Sequence, residues 1–192
     1  MSVRTVIIGS ALALTVSTAE AQVVLYKENL TNPKSVGSAA WRIEQAPPGP
    51  GQKPDIVVRA EIEIPQQNVA FRLSVRRNDD KSLPASHIVE IAFTPDSPHG
   101  GISNIPGILM NYDGMTPGMP LGGVAVKVMP NSFLIGLSSV DTDVQRKIEF
   151  LKERPWFDIP VIYGDGKRAI IAVEKGPLGE RVFAEAFAIW GQ

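Results

Sequence analysis

Asp55-Ile-Val-Val-Arg-Ala-Glu-Ile-Glu-Ile64 and Val69-Ala-Phe-Arg-Leu-Ser-Val-Arg76, joined by the polar link Pro65-Gln-Gln67, decide the fold. Val58, Ala60, Ile62 and Ile64 share one parity, and Arg59, Glu61 and Glu63 share the other. Residues two apart lie on one face only in an extended chain, so the alternation predicts a half-buried β-strand. Val69, Phe71, Leu73 and Val75 repeat it against Ala70, Arg72, Ser74 and Arg76. The pair predicts an antiparallel hairpin with one wet face.

Working outward, the same alternation places strands at 23–27, 36–44, 86–93, 123–129 and 132–138. The period then changes. Asp141 and Asp143 offer N-cap oxygens to a helix carrying Val144, Ile148 and Leu151, which Pro155 stops. A hairpin follows, 159–163 with 168–174, around Gly164-Asp-Gly166. Residues 178–190 then form an amphipathic helix with Val182, Phe183, Ala186, Phe187 and Trp190 on its apolar face. The expected fold is mainly β (α+β), a single antiparallel β-sandwich-like domain with two C-terminal helices. Its expected core is Phe71, Leu73, Ile91, Phe93, Val126, Ile135, Phe183 and Phe187.

The first 21 residues read as an address. One basic residue, Arg4, precedes an uncharged, mostly apolar run from Thr5 to Thr18, and Ala19-Glu20-Ala21 has the small-x-small form of a cleavage site. That is the layout of a secretory signal peptide, and the run is shorter than the ~20 residues a membrane-spanning helix needs. The expectation is a signal peptide at 1–21 and an exported, periplasmic or secreted bacterial protein at 22–192. No later segment is long and apolar enough to span a bilayer.

The chain has no cysteine, which excludes disulfides, thiol chemistry and Cys-ligated zinc. Its 19 basic and 20 acidic residues nearly balance, giving a net charge of −1. Nucleic-acid backbones need clustered positive charge, so that class of partner is disfavoured. Residues 46–54 are too rich in Pro and Gly for regular structure. Residues 94–123 hold five prolines and seven glycines and are expected to form one long loop.

No catalytic or cofactor motif names a reaction. His87 shares parity with Val89, Ile91 and Phe93 and reads as a hydrogen-bonded structural histidine, with a hydrolase role for His87 or His99 as the alternative. His99-Gly-Gly101 lacks the Gly-x-Ser-x-Gly elbow that a serine hydrolase requires. Met110, Met115, Met119 and Met129 suit either a soft-metal (copper) or small-ligand carrier, or an adaptable contact surface. Arg76-Arg-Asn-Asp-Asp-Lys81 reads as a solvated turn, with Arg76 and Arg77 as polar contact candidates.

Trp41-Arg-Ile-Glu44, Arg76-Arg-Asn-Asp79 with Leu83-Pro-Ala-Ser-His87, Gly100-Gly-Ile-Ser-Asn-Ile-Pro-Gly-Ile-Leu-Met110 and Phe133-Leu-Ile-Gly-Leu137 together resemble an uncharacterised group of exported alphaproteobacterial proteins. This likeness covers nearly all of 22–192 and implies no activity. The order of elements more loosely resembles the invasion-associated locus B family: an early Trp-Arg strand, a β-rich body, then a helix, two strands around a Gly turn and a closing aromatic helix. The chain lacks that family's cysteines. The family implies an envelope protein without established catalysis, and it transfers no site residue.

The functional expectation is an exported, non-enzymatic binding or envelope-associated structural protein that needs no cofactor. Its partner would be another envelope protein or surface component. The expected contact residues are Arg76, Arg77, Met110, Tyr112, Met115 and Met119, with the apolar side chains of 94–123 forming an exposed patch; the alternative is that this segment folds inward and plugs the core end. Oligomeric state is left open.

Overall fold

The computed structural model describes residues 20–27, 34–46, 54–95, 100–114 and 118–192. Most of residues 1–21, on which the signal-peptide expectation rests, and His99 and Met115 lie outside these residues. The strands are β1 (Ala21–Lys27), β2 (Lys34–Ala46), β3 (Asp55–Ile64), β4 (Val69–Arg77), β5 (Ala85–Phe93), β6 (Ile102–Asn104), β7 (Leu109–Asn111), β8 (Met119–Pro120), β9 (Val124–Met129), β10 (Ser132–Ser138), β11 (Trp156–Tyr163) and β12 (Arg168–Glu174). Helix α1 (Asp141–Glu153) lies between β10 and β11, and α2 (Gly176–Trp190) follows β12. The fold is mainly antiparallel β with two helices, as expected. Among the described residues no helix is long and apolar enough to cross a membrane.

All the strands belong to one curled sheet in the order β8-β7-β11-β12-β1-β2-β3-β4-β5-β10-β9, with β6 also on β11. The β3–β4 hairpin sets Ile62 opposite Phe71, Ala60 opposite Leu73 and Val58 opposite Val75. All six are buried, so the alternation that decided the fold becomes the inner wall. On the outer wall, Arg42 bridges Glu44 (2.6 Å) and Glu61 (3.0 Å), Arg59 meets Glu44 (2.7 Å), and Arg72 meets Glu61 (2.9 Å). Such exposed ion pairs contribute little stability each, about 0–1 kcal/mol, so the inner face holds the hairpin.

Helix α2 packs against β1, β2 and β3 and puts its aromatic stripe into the concave side. Phe183 lies 5.4 Å from the Trp41 ring and 5.7 Å from Phe157. The Trp41 indole N–H donates to the Glu174 carbonyl at 2.9 Å, satisfying the buried donor. Gly179 lets the helix this close, because a Cβ there would stand 2.9 Å from the Trp41 ring. Helix α1 leans on α2 and β10. A curled sheet filled by its own C-terminal helix buries both apolar surfaces at once.

Three expectations are corrected. Residues 94–123 are not one loop: β6, β7 and β8 lie within them, and Ile102, Ile105, Ile108, Met110 and Leu121 are core residues. Val126 points to solvent rather than into the core. The N-cap of α1 is Val140, which makes no side-chain cap bond, rather than Asp141 or Asp143.

Candidate functional site

The residues picked from sequence do not converge. Arg77 is built into the scaffold: its Nε reaches Asp55 at 3.1 Å and its Nη1 donates to the Trp190 carbonyl at 3.2 Å. Arg76 is exposed beside a turn organised by Asn78, whose side-chain amide donates to the carbonyls of Asp80, Leu83 and Ala85. Met110 and Met119 are cross-strand partners, but Met110 is fully buried while Met119 is half exposed. Tyr112 is exposed, with the Arg154 guanidinium 4.6 Å from its ring.

The chain after β7 is tied to the outer wall. Asn111 donates to Asp158 at 2.5 Å and accepts from the Gly114 N–H at 2.6 Å, while the Tyr26 hydroxyl donates to the Gly114 carbonyl at 3.0 Å. Burial pushes the Asp158 carboxyl above its ordinary range, against the bonds from Asn111 and Gly118. Alongside, Pro160, Ile170 and Tyr26 form one cross-strand row flooring a groove of about 430 Å³, with Lys27 and Arg168 among its walls.

Three buried bases serve the architecture. The His87 ring is completely buried, with Nδ1 3.2 Å from Ser86 Oγ and Nε2 3.1 Å from Gln192 Oε1. Burial drives its pKa down to about 4, the Gln192 bond opposes this, and the Arg77 charge lowers it further. The ring is therefore neutral at pH 7 and clamps the C-terminus onto β5. Lys175 is likewise buried, donates to the Leu151 carbonyl at 2.7 Å and sits 4.5 Å from the Phe183 ring centre. Burial lowers its pKa to about 7, with Glu180 opposing. It joins the end of α1 to the start of α2. Lys147 reaches the Ser138 carbonyl at 3.3 Å, and burial lowers its pKa as well.

The anomalous surface is β9, which sequence reasoning misjudged. Val124 is 72% exposed, Val126 52%, Val128 47% and Met129 68%. Their orientation is set by a bulge. Ser132 faces Met129, but Phe133 then faces Lys127, Leu134 faces Val126 and Ile135 faces Ala125. Val128 is the extra residue. An unbroken hairpin would set Val128 against Phe133 and Val126 against Ile135, turning the valines inward; a one-residue slip reverses every side chain. Lys127, opposite Phe133, is itself exposed, but its ammonium folds back to donate to the Ile102 carbonyl at 2.8 Å and lies 5.4 Å from the Phe133 ring centre. That bond spans the gap between β9 and β6. The missed signal was the two-residue turn Pro130-Asn131, which leaves the hairpin register to be settled by a bulge.

The two ends of the sheet differ. At one end β8 is two residues long and contains Pro120, both common ways of blunting an edge. At the other, β9 is six residues long without proline, and the ammonium of its one charged residue is engaged by the Ile102 carbonyl of the same chain. Among the described residues β9 pairs with β10 alone. Such an edge offers a row of backbone donors and acceptors flanked by valines, the chemistry of strand addition. No family model, curated protein or solved structure matches the chain.

Proposed function

We propose that this chain is an exported, non-enzymatic binding protein that acts in the bacterial envelope by accepting a partner's strand along the free edge of β9. The observation that carries the proposal is the outward valine row on an unblunted edge. Soluble proteins normally blunt such an edge, because it recruits other chains. The leader-like first 21 residues and the resemblance to exported and periplasmic proteins support the address. For a hydrolase, His87 has no solvent exposure through which to meet a substrate. For a methionine-based carrier, Met110 is enclosed in the core and Met129 lies out on β9.

The test is capture from the envelope fraction with the wild-type chain, with Val126→Lys, and with Ile170→Lys as a control on a distant strand of the outer wall. Both positions are exposed, so both variants fold. Loss of bound chains with Val126→Lys alone supports the proposal. Equal capture by all three overturns it.

A further inference from the structure

β9 does more than present an edge, because its sequence is matched to itself. Val124-Ala-Val-Lys-Val128 is nearly symmetric about Val126. Laid antiparallel against a second copy and centred there, Val124 faces Val128, Val126 faces Val126, and Ala125 faces Lys127. Val124 and Val126 then share the outward face of the joint, Val128 is the exposed extra residue of the bulge, and no ammonium faces another. Centring on Lys127 would oppose two ammoniums directly, which destabilises a cross-strand pair. Centring on Ala125 would set Lys127 against Gly123 and leave Val128 and Met129 unpaired. Charge and side-chain matching therefore favour the Val126-centred register over both of these.

The surroundings fit that register. Leu134 stands beside Val126 in the outward row, so the joint would run Leu134–Val126–Val126–Leu134 across the two copies. The Lys127 ammonium, the usual guard of such an edge, is held at the Ile102 carbonyl and over Phe133 within its own chain. The pairing is isologous, the same patch serving both copies, and so closes as a two-fold dimer rather than a fibre.

Resting on the reading of β9 as the contact surface, we infer that its occupant is the β9 of a second copy, paired antiparallel about Val126 so that two curled sheets join into one.

The chain contains no cysteine, so single-cysteine variants report the register directly. Protein purified after expression of the full chain is followed by sedimentation across the micromolar range, and the variants are treated with a short bis-maleimide. The expected results are a concentration-dependent dimer, at least about tenfold weaker with Val126→Lys, and ready self-linking of Val126→Cys. Val124→Cys or Val128→Cys alone should link poorly, since like positions stand roughly 14 Å apart in this register. The two mixed should link well. A wild-type chain that stays monomeric, or a dimer unaffected by Val126→Lys, overturns the inference. If the monomer still captures envelope proteins through Val126, the strand belongs to another protein and only the inference fails. If capture is also indifferent to Val126→Lys, the reading of β9 fails with it.

Discussion

Phe133 faces Lys127 across the β9–β10 hairpin, where a regular two-residue turn would set it against Val128. This one-residue displacement decides which side of β9 meets solvent. The lysine braces it through a bond to the Ile102 carbonyl that, on an exposed side chain, contributes about 1 kcal/mol. Lys127→Ala removes that anchor and is expected to let β9 slip into the regular register, burying the valines. A cysteine at position 124, the most exposed of the row, reports this by its rate of alkylation. Slower alkylation of Val124→Cys in the Lys127→Ala background is expected. An unchanged rate would show that the bulge does not depend on the lysine.

His87 makes stability depend on acid. Its folded pKa is about 4, against about 6.5 in an unfolded chain. Below pH 6.5 the unfolded state takes up a proton that the folded state refuses until about pH 4. Stability therefore falls as pH drops through that window and levels off below it, with a total loss of about 3 kcal/mol. His87→Phe keeps an aromatic ring beside Phe187 and Trp190 and carries no titrating proton. Urea unfolding at pH 4, 5, 6 and 7 should show the variant losing less stability than wild type by roughly that amount. Parallel curves for the two proteins would contradict the assignment.

Gly37 in β2 is set by close approach rather than by a turn. A Cβ there would stand 2.0 Å from the Glu63 carbonyl oxygen, which is backbone and cannot swing aside. Gly37→Ala should cost about 1–3 kcal/mol, the usual range for forcing an extra methyl against its neighbours. The urea midpoint checks it, and a shift no larger than that of Ala40→Gly, an exposed site on the same strand, would contradict it.

The proposed export makes its own prediction. The Gln22 backbone N–H donates to the Glu174 carboxylate at 2.9 Å. Cleavage after Ala21 would turn that nitrogen into an α-amino group already seated on its counter-ion. Mass analysis of protein recovered from the envelope should find a chain beginning at Gln22. A chain retaining residues 1–21 would contradict both the address and the cleavage site.

The sequence was most legible where one face of a strand is apolar and the other charged. Residues 55–64, 132–138 and 168–174 fall where their alternation placed them, because register there is enforced by burial of one face. The role of His87 was also readable, from its parity with Val89 and Ile91. The candidate site was not. In β9 neither face is strongly polar, so local pattern favoured the inward valine, and the bulge that reverses it, with Lys127 reaching Ile102 on a distant strand, leaves no mark in the local pattern. The core residues of 94–123 were misread for a related reason. Ile102, Ile105 and Ile108 carry no strand period, and their burial depends on β11, some 50 residues later, pairing with β6 and β7.

The most direct measurement is photocross-linking in the bacterial envelope, with a benzophenone side chain at position 126 and, as control, at exposed position 181 on α2. The account predicts a product heavier than the monomer from position 126 and none from 181. Cross-links from 181 but not from 126 would contradict it.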